Sequence, residues 1–227
     1  HFLQTMTVKQ LADGPGDAQP DTTGRWSVVS GKTVGRTSGF TIVDPSGDRF
    51  VMKFDVATWP EMSSAAEAIS TRIFYPAGYS VPRNSVVFFS RSRLELSPDA
   101  SLRFPDGTSR RMTQGDLDDI LAASVTLPDG RFRCLASAYL IGDPLGPPGF
   151  HGRRRDDPND RVLHEHRREL RGMRVLSSWL HDTDRRTANM LDLYVTGDNG
   201  GKHVKHYVID MGSTLGSNNW ISHMPRY

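Results

Sequence analysis

Five side chains in this sequence are of the types, and in the order, that phosphoryl-transfer chemistry requires. Lys53 stands in "FVMKFD", Glu67 in "SAAEAIS", Asp184 and Asn189 bracket "DRRTAN", and Asp210 follows the alternating run "HYVI". Such chemistry needs a cation on the phosphates, divalent ions held by oxygen ligands, and a carboxylate near the attacking hydroxyl. Asp and Asn are hard oxygen donors suited to Mg²⁺. The runs "LDLYV" and "HVKHYVI", read as strands of a hairpin, would carry Asn189 and Asp210 to the same end. A lysine in an apolar strand is costly to bury without an anion, and Glu67 in the following helix is the available partner. Taken alone, a Lys53 facing solvent at a sheet edge and a Glu67 on a polar helix face explain that pair equally well. All five residues in this order, each on a suitable element, specify much more.

The elements that must position them follow from punctuation and period. Residues 11–24, rich in Gly, Pro and Asp, read as linker or loop. Strand-like runs at 26–30, 40–43 and 50–54 follow, the last two joined by the turn signature "DPSGD", so an antiparallel meander is expected. A helix comes next, with Ala65, Ile69, Ile73 and Phe74 on one apolar face and Gly78 as its stop. Then come the strand "SVVFF", a polar hairpin, the short helix "QGDLDDILAAS" and the buried strand "RFRCLASAYLIG". Asp160 is expected to cap a long helix carrying Leu163, Leu170, Met173, Leu176 and Leu180 at helical spacing. Asp182, just after that helix, reads as its C-terminal cap or as a brace for Arg185. Between the first two strands, "GKTVGRTSGF" offers Gly35, Ser38 and Gly39 for backbone contacts to phosphate. It is neither GxGxxG nor a Walker A motif, since Trp26 stands where that pattern needs its first Gly, and an ordinary hairpin explains it equally well.

Bulk properties exclude several classes. The chain has 227 residues, 37% hydrophobic and 24% charged, with no apolar run near the ~20 residues of a membrane span. A net charge of +2 does not call for nucleic acid, although residues 151–190 hold ten Arg and no Lys. Cys134 has no intrachain partner for a disulfide and reads as a small hydrophobe. "HEH" at His164–His166 lacks the HExxH spacing of a zinc helix, and no G-x-S-x-G elbow accompanies Ser177 and Ser178. The start at His1 and the stop fifteen residues after Gly212 lead us to expect a piece of a longer protein.

With these residues placed, the sequence resembles the protein-kinase-like superfamily. "DRRTAN" is most similar to the DRHxxN loop of phosphatidylinositol kinases and atypical bacterial relatives of the HipA type, with Arg186 in place of the His. "VIDMGSTLG" is similar to the magnesium-binding DFG segment, with Met211 in place of the Phe. The wider text from Trp26 to Ser217 also resembles a family of bacterial proteins with no established activity. The resemblance implies an α+β bilobal fold: an extension over 1–25, a β-rich lobe over 26–142, and a partial, truncated helical lobe over 143–227. It implies ATP and Mg²⁺ as cofactors, Lys53 on the nucleotide phosphates with Glu67 as its ion-pair partner, Asp184 as catalytic base, and Asn189 and Asp210 as metal ligands. Residues 136–142 would be the hinge beside adenine. The acceptor hydroxyl is left open among protein, lipid head group, sugar and small molecule, and nucleic acid is not expected. A catalytically silent nucleotide-binding or scaffolding module is the alternative.

Overall fold

The computed structural model describes residues 5–32, 39–197, 199–218 and 222, so Gly35 and Ser38 lie outside the described residues. The strand-like runs form the expected meander of β1 (Trp26–Lys32), β2 (Gly39–Val43) and β3 (Arg49–Lys53). Asp44 builds the β2–β3 turn, where its carboxylate accepts the N–H groups of Ser46 and Asp48 at 3.0 and 2.9 Å. Along β3 the side chains alternate: Phe50 and Met52 enter the core, while Val51 and Lys53 line a cavity on the other face. Lys53 thus sits in an apolar strand without entering its core.

After β3 the chain forms α2 (Met62–Phe74), then β4 (Asn84–Phe89), β5 (Leu94–Arg103), β6 (Ser109–Arg111), α3 (Gln114–Ala122) and β7 (Phe132–Ala138). The sheet order is β4-β7-β3-β2-β1-β5-β6. Its pairs are antiparallel except that β5 runs parallel to β1, because β5 reaches the open edge of β1 by a long crossover rather than a hairpin. Trp26, Phe40, Ile42, Phe54, Phe89 and Leu117 fill the core on one face. Cys134 is fully buried among them, and burial pushes its thiol well above the usual range, which leaves it inert. Upstream, the extension read as loop carries α1 (Val8–Asp13), started by a capping box between Thr7 and Gln10.

The apolar face expected for α2 is the one it buries only in part, through Phe74 and Ile73 at its end. Ser64, Ala66, Glu67, Ser70, Thr71 and Phe74 are buried, whereas Ile69 is half-exposed. The helix can bury polar groups because they find partners. Asp55 accepts the N–H and hydroxyl of Ser64 at 2.8 and 2.6 Å, Ser70 and Thr214 share a 2.6 Å bond between hydroxyls, and Thr71 donates to the Glu67 carbonyl at 2.6 Å.

The second part of this α+β chain holds α4 (Arg168–Trp179) and a three-stranded sheet of β8 (Asp143–Gly146), β9 (Met190–Thr196) and β10 (Lys202–Val208), in the order β10-β9-β8. Met173, Leu180, Met190, Val208 and Met211 form its core, and Phe74 of α2 reaches into it. Among the described residues no helix is long and apolar enough to cross a membrane.

Asp160 does not cap α4, which begins only at Arg168. A separate helical turn at His164–His166 intervenes, and the buried Asp160 carboxylate instead gathers the Arg154 N–H, His164 Nε2 at 2.7 Å and the Arg167 guanidinium. Burial would raise its pKa, but these donors hold it at about 2, below the ordinary 3.8. A carboxylate depressed in the folded state contributes stability above its unfolded pKa and loses it as pH falls through the folded value. The contribution of Asp160 is therefore complete above about pH 4, fades toward about pH 2, and is on the order of 2 kcal/mol. Asp160→Asn should lower the urea unfolding free energy by about that much at pH 7 and flatten the acid limb between about pH 4 and 2. An unchanged acid limb would show that Asp160 does not bear this load.

Candidate active site

Lys53 Nζ lies 2.7 and 2.9 Å from the two oxygens of Glu67 and 3.3 Å from Oδ1 of Asp210. Strand β3, helix α2 and the segment just past β10 thus meet at one ammonium. Burial alone would lower the pKa of Lys53, but the charges of Glu67 and Asp210 outweigh it and hold the group well above its ordinary value. Asp210 is held below the usual carboxylate range by Lys53. Glu67, only 3% exposed, is pushed up by burial, which Lys53 offsets in part.

Asp210 has a left-handed backbone, φ 55°, which few residues other than glycine adopt. The following residues hold it there: Met211 is fully buried in the second core, and the Gly212 carbonyl accepts a bond from Ser63 at 3.2 Å. Strain of this kind persists only where the surroundings over-determine it.

Met190 opens β9 directly opposite Val208, so Asn189 and the residues after β10 come to the same end of the hairpin. The Ile209 N–H donates to the Asn189 carbonyl at 3.1 Å. Asn189 Nδ2 donates to the Asp184 carbonyl at 2.7 Å and to Asp184 Oδ2 at 3.0 Å, which leaves the side-chain oxygen of Asn189 as its end for a cation. Arg185, 7% exposed, donates to Asp182 at 2.8 Å and to the carbonyls of Asn189 and Ile209 at 2.7 and 2.9 Å. One side chain thereby pins the Asp182–Asn189 loop to the end of β10, and Asp182 does both things expected of it: its carboxylate braces Arg185, and its backbone N–H closes α4 by donating to the Ser177 carbonyl at 2.7 Å. Arg186, by contrast, is 66% exposed, with Nε 3.2 Å from Asp184 Oδ1.

A cavity of about 280 Å³ opens beside this cluster. Val51, Pro82, Leu140, Leu191, Leu193 and Ile209 give it apolar walls, and Lys32, Lys53 and Asp210 are its charged lining. Ala138, Tyr139, Leu140 and Gly142, from the segment expected as a hinge, border it. At Gly142 a Cβ would meet Val195 Cγ1 at 2.9 Å and the Tyr194 carbonyl at 3.0 Å, so only glycine lets the chain pass β9 this closely. Larger concavities of about 710 and 1300 Å³ lie elsewhere and are lined by none of Lys53, Asp184, Asn189 and Asp210.

Among the described residues no group of three or more His, Cys, Asp or Glu could hold a metal by itself. His164 of "HEH" is occupied by Asp160 and the Gly149 carbonyl. The oxygens of Asp210 and Asn189 suit a hard divalent ion that takes its other ligands from phosphate and water, as Mg²⁺ does. Gly39 lies in β2 between Lys32 and Lys53 in the strand register. The "GKT" run does not by itself mark Lys32, because it fits no Walker motif. Its signal was positional, since Lys32 ends β1 at the level where Lys53 ends β3.

Breaking a buried ion pair by removing one partner costs about 3–5 kcal/mol, whereas an exposed pair is worth about 0–1 kcal/mol. Arg185→Met should therefore cost several kcal/mol of unfolding free energy in denaturant titrations, and Arg186→Met close to nothing. Equal losses would mean that Arg185 is not what holds the loop.

No protein-family model matches this chain, and no curated protein does. Two solved structures of a Golgi casein kinase, one with Mn and ADP bound, align over 92% of this chain and 57% of theirs, at 9% identity and a TM-score of 0.49. The chain spans little more than half the length of those structures. The chain itself is α+β, with its seven-stranded sheet preceding its three-stranded one.

Proposed function

We propose that this chain binds a nucleoside triphosphate with a divalent cation and transfers the γ-phosphoryl group to a hydroxyl, as a kinase-like phosphotransferase of the DRHxxN type. The observation that carries this reading is the convergence of Lys53, Glu67 and Asp210 on one ammonium at the mouth of an apolar-walled cavity. In this reading the apolar walls take the base, as ATP would offer, and Lys53 orients the phosphates. Asn189 and Asp210 would hold the cation, which supplies charge neutralisation to the phosphates when bound. Asp184, positioned by Asn189, accepts the hydroxyl proton as the acceptor oxygen bonds to the γ-phosphorus and the bond to the bridging oxygen breaks, releasing the diphosphate. The acceptor is a hydroxyl on a protein, lipid head group, sugar or small molecule.

A second reading, a silent nucleotide-binding module, is favoured by the ion pair between Asp184 and Arg186, which occupies one oxygen of the base.

Thermal shift and phosphoryl-transfer assays on wild type and Asp184→Asn separate the two. Mg·ATP at about a hundred times its Kd should stabilise both proteins by about 2.7 kcal/mol, and ATP with chelator by much less. Turnover should fall in Asp184→Asn by a factor of about 10²–10⁴. A metal-dependent shift without transfer in the wild type would select the silent module. No shift at all would remove the nucleotide site.

A further inference from the structure

We propose that Lys32 is a second phosphate-binding residue, and that it supplies the positive charge by which the cavity admits a polyphosphate. This rests on the nucleotide reading of the cavity and goes beyond it in naming the residue that reads the number of phosphates.

The strand register places Lys32 opposite Gly39, and Gly39 opposite Lys53. Residues directly opposite across neighbouring strands project from the same face of a sheet. The two lysines therefore stand on one face, two strands apart, with the one residue between them lacking a side chain. Lys32 Cε comes within 3.7 Å of where a Cβ on Gly39 would be, so its stem runs across that gap. A Cβ there would also sit 2.5 Å from the Met52 carbonyl, so the gap stays open. Gly31, the preceding residue, is turned to the core, where a Cβ would meet Met112 and Leu102.

Charge makes the case sharper. Lys53 is already matched by two carboxylates, so Lys53, Glu67 and Asp210 together carry a net negative charge. A polyanion approaching those three without a cation is repelled, so further positive charge beside them favours its entry. Lys32 lines the same cavity, and among the described residues no carboxylate lies within ion-pair distance of it. Burial, and then the charge of Lys53, hold its pKa below the ordinary lysine value. An ammonium left in this position is an unfavourable charge that an arriving phosphate would relieve, while Lys53 stays engaged with Glu67.

Titration calorimetry with Mg·ATP, Mg·ADP and AMP on wild type, Lys32→Met and Lys32→Arg gives the test, together with unfolding midpoints of the ligand-free proteins. Lys32→Met should weaken ATP about tenfold or more, ADP less, and AMP less than about threefold, as for loss of a charged hydrogen bond. Lys32→Arg should keep most of the ATP affinity. The ligand-free midpoint of Lys32→Met should hold or rise, because burial and the Lys53 charge outweigh the more distant attraction of Asp210 and Glu67 for this ammonium; a lysine with a purely structural role would lower it. Unchanged ATP affinity in Lys32→Met, or equal losses for ATP and AMP, would overturn the proposal while the nucleotide reading stands. A wild type that binds none of the three nucleotides would overturn that reading, and this proposal with it.

Discussion

One ammonium group sets the terms for the rest of the structure. Lys53 Nζ is claimed by Glu67 and by Asp210, residues separated from each other by most of the chain. The ammonium, 21% exposed, depends most on Glu67, 3% exposed, whose loss would strand charge in a poorly solvated site, while Asp210, 46% exposed, adds a partly solvated second contact. The sheet, α2 and the end of β10 must therefore hold a fixed relation to within a hydrogen-bond length. Much of the polar architecture serves that end. Asp55 satisfies the first turn of α2 through Ser64 and is itself matched by Arg133 at 3.0 Å. Thr214 grips the middle of the helix through Ser70, and Phe74 anchors its end in the second core.

The same constraint explains why the two cores stay distinct. The sheet core is aromatic and aliphatic and does not contain α2's polar face. The second core draws its members from α2, α4, β9, β10 and Met211, so it closes around the segments that carry Glu67, Asn189 and Asp210. Arg185 completes the link by using its several donors on one carboxylate and three carbonyls, a geometry that lysine could not reproduce. Packing holds the backbone on either side of the site, and directional polar bonds set the register across it.

That division also decides how much could be read from the sequence. Period-2 alternation and the "DPSGD" turn carried the meander, and the "LDLYV"/"HVKHYVI" hairpin carried Asn189 and Asp210 to one end, as the pairing of Met190 with Val208 bears out. These are local signals. The buried face of α2 is legible only at Ile73 and Phe74, because helical periodicity assumes an apolar face and here satisfied serines, a threonine and Glu67 are buried while Ile69 is left out. Asp160 has the composition of a cap, but its partners Arg154, His164 and Arg167 are gathered by a turn that no spacing rule encodes. The parallel β1–β5 pair and the Lys32–Gly39–Lys53 row are relations between strands, which a strand-by-strand reading does not contain. Gly35 and Ser38 fall outside the described residues.

The pairing of Asp184 with Arg186 bears on whether such a site can act as well as bind. Asp184 is held on both oxygens, by the Asn189 amide on one and Arg186 on the other. The two contacts are not equivalent. Asn189 is buried and spans the carbonyl and carboxylate of Asp184, so it sets the orientation of that residue. Arg186 is mostly in water, where an ion pair is worth about 0–1 kcal/mol because solvent and side-chain entropy compete with it. A hydroxyl arriving at Asp184 could displace Arg186 at that small cost while Asn189 kept the carboxylate aimed. The freed guanidinium would then face the approaching substrate as a planar donor suited to phosphate or carboxylate. In the proposed phosphotransferase reading the pair is therefore compatible with catalysis on energetic grounds, and Arg186, where the resemblance implies a histidine, would bear on what the site attracts more than on whether Asp184 is available.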